Sequence, residues 1–170
     1  RLHEKIAVLE GGVGALATAS GMAAVSNLFF TFLGAGSHCV ATSSLYGPSR
    51  TVLEKEFSRF GVESTFVDTG DLDKVREALR PGTKLVYLET PANPTIRLTD
   101  IAAVAEICRE KGILLAVDNT FATPILQRPL ELGADIVLHS VTKFINGHTD
   151  VVGGLLVFKA KEVMERAIKP

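Results

Sequence analysis

The chain has 170 residues, a formal net charge of −1, 46% hydrophobic residues and 22% charged residues. This length and composition are typical of one globular domain with a sizeable core. The near-neutral charge argues against nucleic acid or an anionic membrane as a partner, because both attract strongly basic proteins. The longest apolar stretch, 22–33, is much shorter than the roughly twenty residues of a membrane span, so it predicts a buried helix.

The predicted elements alternate along the chain. Strands are predicted at 38–42, 62–67, 84–88, 113–117 and 135–138. Helices are predicted at 22–33, 48–60 and 71–79, and from a cap at Thr99 to a stop at Gly112. Repeated strand–helix–strand units with nearly continuous apolar strands indicate an α/β fold, a mostly parallel sheet with helices on both faces. Residues 1–170 are interpreted as one domain.

The ends of the chain and its two cysteines indicate a fragment of a larger protein and a reducing cellular compartment. The chain starts at Arg1 inside an amphipathic pattern and stops inside another segment, so we interpret it as a piece of a larger protein. No signal peptide is recognisable. Cys39 and Cys108 are expected to be buried free thiols in a reducing compartment, which predicts a cytoplasmic protein.

Four chemically capable side chains follow predicted strands. Tyr46, Glu89, Asp118 and Lys143 each lie at or just after the end of a strand. In parallel α/β sheets ligands bind beyond the carboxyl ends of the strands, so these residues are expected to lie around one site.

The start of the first buried helix offers an anion site. Ser20 is a good N-cap, and Gly21 allows close approach of the backbone. Free N–H groups and the positive end of the helix dipole favour a phosphate there. A capped helix without a ligand is the alternative. No acidic residue occurs in the segment 11–53, which favours the anion.

A glycine-rich segment just upstream allows a second interpretation. Residues 12–17 match the pattern G-x-G-x-x-A of dinucleotide-binding folds. That motif requires an acidic residue about twenty positions later for the ribose. The first acid after Glu10 is Glu54. A dehydrogenase is therefore a weak alternative.

Asp118 leaves the end of a strongly apolar strand. A carboxylate there is costly to ionise without a partner, so a cation such as a protonated pyridine nitrogen or a metal would explain it. The alternative is an aspartate that caps the next turn through the backbone. A metal is disfavoured because no His or Cys pair near Asp118 has ligand spacing, and no metal site is predicted.

Lys143 follows another buried strand among hydroxyl groups. If it is partly desolvated, its pKa falls and the neutral amine becomes a nucleophile for aldehydes. Ser140 and Thr142 supply hydroxyl donors suited to phosphate oxygens. The letters S-x-x-K also match serine acylases, but the S-D-N and K-T-G elements of those enzymes are absent. His139 and His148 are expected to pack or form hydrogen bonds rather than bind a metal.

Together these segments resemble the Cys/Met-metabolism enzymes that depend on pyridoxal 5′-phosphate (PLP), the cystathionine γ-synthase-like or trans-sulfuration family. The resemblance implies the large PLP-binding domain of fold type I, which is aspartate-aminotransferase-like. The matching segments occur in the family's order and are Ser20–Ala24, Tyr46-Gly47, Glu89–Pro94, Val117–Thr120, and Ser140–Lys143 with Gly147–Asp150.

The resemblance implies a role for each matching residue. Lys143 would form the Schiff base with PLP and carry protons, Asp118 would keep the pyridine nitrogen protonated, and Tyr46 would stack on the ring and act at the leaving group. Asn93 would lie near the phenolic oxygen, with Glu89 as a supporting residue. The phosphate would be held by the N–H groups of Gly21 and Met22 and the hydroxyls of Ser140 and Thr142.

The implied activity is γ-elimination on a small amino acid, methionine or cystathionine, by a carbon–sulfur lyase. The alternatives are γ-replacement on an O-acylhomoserine and a non-catalytic structural fragment. Pro48 stands where the best-known methionine γ-lyases carry cysteine, which counts against methionine. The family's N-terminal segment and C-terminal domain have no counterpart here. The resemblance also implies a homo-oligomer, a tetramer built as a dimer of dimers, and predicts that this fragment alone is inactive.

Overall fold

Seven strands form one sheet in the computed structural model, which describes residues 1–168. The strands are β1 (Gly14–Thr18), β2 (His38–Thr42), β3 (Glu63–Val67), β4 (Thr83–Glu89), β5 (Leu114–Asp118), β6 (Ile136–Ser140) and β7 (Gly154–Phe158). The helices are α1 (Leu2–Glu10), α2 (Gly21–Phe32), α3 (Gly47–Thr51), α4 (Leu72–Ala78), α5 (Ile101–Lys111), α6 (Thr123–Leu126) and α7 (Lys161–Ile168).

The order of the strands across the sheet is β1-β7-β6-β5-β4-β2-β3. The neighbours from β6 to β3 pair in parallel, whereas β7 runs antiparallel to both β6 and β1. The predicted mostly parallel sheet is therefore confirmed. Because β6, β5, β4 and β2 all point the same way, their carboxyl ends lie along one edge, where the segments that follow them can meet.

Helices cover both faces of the sheet, as predicted. One core packs α2, α7 and the helical turns that follow α3, at 52–57, against strand residues such as Tyr87, Ile136 and Leu156. On the opposite face, α4 and α5 cover the alternate strand residues, including Val86 and Val117. A third cluster packs α1 beside β6 and β7 on that same face. This two-sided burial explains the nearly continuous apolar sequence of the strands.

All five predicted strands are present, but β1 and β7 were not expected from the sequence. Residues 14–17, which belong to the glycine-rich pattern, are strand residues that pair with β7. The apolar stretch Ile6–Leu9 before them lies in α1 instead of a strand. The dinucleotide interpretation is therefore wrong, because that motif requires a turn that leads from a strand into a helix.

The helix ends agree with the sequence in most places. Ser20 caps α2 by accepting a hydrogen bond from the Ala23 amide at 3.0 Å. The predicted helix 48–60 is continuous, but its α-helical turns continue as a π-helical turn at 52–56 and a 3-10 turn at 57–60. The predicted cap Thr99 is wrong. Asp100 caps α5 through the Ala103 amide, while the Thr99 hydroxyl bonds that of Thr69.

The state of the cysteines and the character of the helices can be compared with the sequence-based expectations. Cys39 and Cys108 are free and buried, as expected. Within residues 1–168, no helix combines the length and the apolar character that a membrane crossing requires.

Candidate active site

A cavity of about 590 Å³ opens at the carboxyl edge of the parallel strands. Every residue that the sequence predicted for catalysis or cofactor binding contributes to its wall, and so does Glu89. These residues are Gly21, Met22, Tyr46, Glu89, Asn93, Asp118, Ser140, Thr142 and Lys143. The parallel pairing of β2, β4, β5 and β6 explains why the residues that end or follow these strands meet. Gly21 and Met22 instead begin the helix after β1, which the antiparallel strand β7 places beside β6.

The first turn of α2 presents unpaired donors to this cavity. The Ala23 amide donates to the Ser20 hydroxyl, whereas the amides of Gly21 and Met22 have no acceptor among residues 1–168. Gly21 also packs tightly, because a Cβ there would come within 2.7 Å of Ser140 Cβ and 2.8 Å of its Oγ. Helix and strand end therefore meet closely enough for backbone N–H groups and the Ser140 hydroxyl to face one anion.

Strand β7 holds the two halves of this anion site together. Its first residue, Gly154, pairs with Thr18 on one side and with Ser140 on the other. A side chain at Gly154 would collide with the backbone of Ser20. The glycine is thus required by close packing between β1, β7 and the start of α2.

Asp118 lies buried at the end of β5. Its Oδ1 accepts the Thr120 amide at 3.0 Å, and the Tyr87 hydroxyl donates to its Oδ2 at 3.4 Å. Within residues 1–168 no Lys, Arg or His forms an ion pair with it. Burial raises the pKa of this carboxyl, which the bonds from Thr120 and Tyr87 partly oppose. The turn-capping interpretation is confirmed by the bond from the Thr120 amide, and the carboxylate also lines the cavity.

Lys143 lies on the turn after β6, at the cavity wall, and is exposed in this chain. Residues 142–150 form a turn and loop at the edge of the sheet that leaves Lys143 accessible from the cavity. Of the two nearby hydroxyls, that of Thr142 already donates to the Gly153 carbonyl at 3.3 Å and accepts its amide at 3.1 Å. The Ser140 hydroxyl has no partner among residues 1–168 and is the freer donor.

Glu89 is buried and joins two loops. Its Oε2 accepts the Tyr46 amide at 2.7 Å, and its Oε1 accepts the Asn93 amide at 3.0 Å. Glu89 and Asp118 are also register partners on β4 and β5, so two carboxyl groups end neighbouring strands. Burial, together with the charge of Asp118, raises the pKa of Glu89 to about 7.

A second buried polar group lies behind the anion site. His139 Nε2 is 2.6 Å from Glu10 Oε1, and the Asn119 amide group donates to the same oxygen at 3.0 Å. Glu10 Oε2 and His139 Nδ1 have no partner among residues 1–168. The predicted hydrogen-bonding role of His139 is thereby confirmed. His148 is exposed, and its Nδ1 forms a hydrogen bond with the Asn146 carbonyl at 2.9 Å.

Two features of the cavity wall are not predicted from the sequence. Thr120 links the site internally, because its amide bonds Asp118 and its hydroxyl accepts the Ser140 amide at 2.8 Å. Its position two residues after a strand-end aspartate was the available signal. Phe121 and Phe144 stack edge to face with ring centres 5.5 Å apart, and both line the cavity. No pattern in the sequence pairs them. Residues 1–168 contain no cluster of three or more His, Cys, Asp or Glu able to hold a metal ion.

Comparison with known proteins identifies the family. The sequence profile of the Cys/Met metabolism PLP-dependent enzymes matches residues 1–169. The chain belongs to this family. The enzymes of this family depend on PLP.

Individual proteins with similar sequences or structures support the same family assignment. The cystathionine beta-lyase MetC of Bacillus subtilis (strain 168) is 48% identical over 168 residues, which are 99% of this chain and 43% of that protein. The L-methionine gamma-lyase of Fusobacterium nucleatum subsp. polymorphum is 51% identical over 92% of this chain and 40% of its own length. The crystal structure of metB from Corynebacterium glutamicum superposes with a TM-score of 0.96 and 46% identity, covering 98% of this chain and 43% of that one. The chain thus spans about two fifths of the length of these relatives.

Proposed function

We propose that this chain is the PLP-binding large domain of a carbon–sulfur lyase that catalyses γ-elimination on methionine or cystathionine. One observation carries the proposal. The buried carboxylate of Asp118, which has no cationic partner within residues 1–168, lines the same cavity as Lys143 and the free N–H groups of α2. A cationic ring nitrogen, an aldehyde and a phosphate on one small molecule match these three features.

The residues present fit PLP group by group. The amides of Gly21 and Met22 and the Ser140 hydroxyl would hold the phosphate, since none of them has another partner within residues 1–168. Thr142 would contribute only by giving up its bond to the Gly153 carbonyl, which at 3.3 Å is the weaker of its two contacts. Asp118 would pair with the ring nitrogen, Tyr46 would lie on the ring and Asn93 near its phenolic oxygen.

When bound, PLP supplies an electron sink for the negative charge that develops on an amino acid's α-carbon. Lys143 would bind the cofactor covalently, and its amine, once released by substrate, would take the α-proton. After releasing that proton to the carbon that joins substrate and cofactor, the neutral amine would take a β-proton. Tyr46 would give a proton to the sulfur that leaves the γ-carbon. Asp118 would remain ionised beside the ring nitrogen, because that cation offsets the cost of its burial.

The remaining parts of the proposal concern the whole protein. As the family resemblance implies, a Tyr and an Arg from a neighbouring subunit would complete the phosphate site, and a C-terminal arginine would bind the substrate carboxylate. The limited coverage of the relatives supports the interpretation of residues 1–170 as the large domain. We propose a tetramer built as a dimer of dimers, in the reducing cytoplasm that would keep Cys39 and Cys108 reduced.

The cofactor lysine is tested in the full-length protein by borohydride reduction followed by peptide mapping. We expect the reduced pyridoxyl group on Lys143 and its loss in Lys143→Arg. Lys159, which lies just after β7, provides the matched control, and Lys159→Arg should label like the wild type. A pyridoxyl group on another lysine, or on none, contradicts the proposal.

The reaction is tested by offering the full-length protein methionine, cystathionine and an O-acylhomoserine with a thiol. A γ-elimination releases 2-oxobutanoate with ammonia and a thiol. Pyruvate from cystathionine would instead show β-elimination, the reaction in the name of the Bacillus relative. A new thioether would replace the proposal with γ-replacement. If PLP is bound to Lys143 but none of the substrates gives a product, the chain belongs to a non-catalytic protein instead.

A further inference from the structure

The two residues proposed to contact the cofactor ring have little packing of their own. The side chain of Tyr46 is 43% exposed, and Asn93 is also exposed. They lie on different loops, one after β2 and one after β4. Loops at a sheet edge are mobile unless bonds to the scaffold hold them. The contact that both loops share is the side chain of Glu89.

Glu89 uses each carboxylate oxygen on a different loop. Oε2 accepts the Tyr46 amide at 2.7 Å and Oε1 accepts the Asn93 amide at 3.0 Å, while Glu89 itself is only 5% exposed at the end of β4. Neither amide has another acceptor within residues 1–168. Hydrogen bonds from backbone amides to a buried carboxylate are among the stronger ones, and losing the acceptor leaves two donors unsatisfied.

The position of Glu89 is costly for folding. It lies beside Asp118 in the sheet register, so two carboxyl groups share a poorly solvated region. The pKa of Glu89, raised to about 7 by burial first and by Asp118 second, reflects that cost. The Tyr87 hydroxyl, which is the other titratable group here, points at Asp118. Unfavourable arrangements such as two neighbouring buried carboxyl groups occur mainly at functional sites.

We propose that Glu89 is a positioning residue, which fixes the main chain of Tyr46 and of Asn93 relative to each other so that both side chains meet the cofactor ring. The proposal rests on the proposed function for the identity of the ligand. It goes further by assigning the task to one carboxylate that does not itself react. Gln cannot replace it, because a carboxamide has one acceptor oxygen for two amides.

The first measurement follows amide hydrogen exchange in the cofactor-free full-length protein at about pH 8, where Glu89 is ionised. In Glu89→Gln we expect exchange in at least one of the segments 43–50 and 91–97 to accelerate about tenfold or more. Glu89→Asp keeps two acceptor oxygens on a shorter side chain and should recover part of the protection. If Glu89→Gln does not fold, Glu89→Asp carries both measurements.

Asp135→Asn is the matched control. Asp135 is also a partly buried carboxylate that accepts a strand amide, that of Leu115 at 2.8 Å, but it lies at the opposite end of β5. Asp135→Asn should leave amide exchange in the segments 43–50 and 91–97 unchanged.

The second measurement is PLP binding, followed by titration and by circular dichroism of the bound cofactor's absorption band. Glu89→Gln should weaken binding about tenfold and reduce the dichroic signal, whereas Asp135→Asn should do neither. Unchanged exchange in the variant overturns the proposal. Faster exchange with unchanged affinity and dichroism also overturns it, because Glu89 would then only support the loops. Failure of the wild type to place PLP on Lys143 rejects the proposed function separately, since exchange is measured without cofactor.

Discussion

Glu10 and His139, which lie 129 positions apart in sequence, meet with 2.6 Å between Oε1 and Nε2, and neither side chain is exposed. Glu10 is the last residue of α1, and His139 directly precedes Ser140 in β6. Asn119, which directly follows Asp118, donates to the same Glu10 oxygen. One carboxylate therefore ties a helix to the two strand ends that carry the proposed anion and ring-nitrogen contacts.

Glu10→Ala is expected to destabilise this region. The substitution leaves the His139 nitrogen without its acceptor and one of the two Asn119 N–H donors unpaired, while the other still bonds the Gln127 carbonyl at 2.8 Å. Losing these buried bonds costs about 3 kcal/mol. The free energy of local opening, measured by native-state hydrogen exchange at the amides of 136–140, should fall by that amount. Glu106→Ala, an exposed carboxylate on α5, should change it by less than about 0.5 kcal/mol. Equal effects of the two substitutions would show that the buried pair has no special role.

Asp118→Asn is expected to separate activity from stability. The amide keeps the acceptor for Thr120 but cannot hold the ring nitrogen protonated, so the elimination rate should fall about 100-fold or more. The same change removes a buried charge beside Glu89. The cofactor-free protein should therefore unfold at an equal or higher temperature above about pH 7. Thermal unfolding and steady-state rates check both parts, and a lower melting temperature with an unchanged rate would contradict both.

The stability of the cofactor-free protein is expected to fall as the pH rises. Glu89 has a pKa of about 7 in the folded chain, above the usual value of 4.5, so the folded state holds the proton more tightly. Its penalty is absent below about pH 4.5 and complete above about pH 7, and amounts to roughly 3 kcal/mol at most. Asp118 shifts in the same direction.

The contribution of Glu89 is isolated by comparison with Glu89→Gln. The unfolding free energy of this variant should depend less on pH between about 4.5 and 7 than that of the wild type. If the unfolding free energies of the two proteins changed with pH in parallel across this interval, the pKa of Glu89 would not be raised by folding. Adding PLP should also flatten the wild-type curve, if its ring nitrogen supplies the missing cation.

Gly21→Ala is expected to weaken PLP binding. The added methyl group would lie 2.7 Å from Ser140 Cβ and 3.1 Å from its Cα, so α2 must move away from β6. The phosphate donors then separate, and the affinity for PLP should fall about tenfold, equivalent to about 1.4 kcal/mol. Gly34→Ala serves as the control, because its methyl group would meet nothing within 4 Å. A titration that gives equal dissociation constants for the two variants would refute the close-packing argument.

The sequence predicts which residues line the cavity better than it predicts the full extent of the sheet. The residues that line the cavity follow buried apolar strands, and parallel pairing brings such positions to one edge whatever the loops do. Ser20 could be identified because capping is a local property. The strand β1 could not, since Gly-Ala-Leu-Ala-Thr has poor strand propensity and is extended through its pairing with β7, far along the chain.

Other features depend on contacts that no local pattern contains. The bond between Glu10 and His139 joins distant segments, so neither residue alone indicates it. Thr99 looks like a helix cap, yet its hydroxyl is taken by Thr69 and the helix begins one residue later. The double use of Glu89 depends on where the loops after β2 and β4 return, which is set by tertiary structure.

The antiparallel strand β7 has a consequence for the order of folding. During synthesis β1 emerges early but must wait for residues 154–158 before it can pair, which is a contact of very long sequence separation. Gly154 then joins Thr18 and Ser140 in the same step. The Gly21 and Met22 amides and the Ser140 hydroxyl, the proposed phosphate donors, therefore come together only when β7 is inserted. PLP would accordingly be bound late, by a nearly completed sheet, and would not act as the nucleus around which the chain collapses.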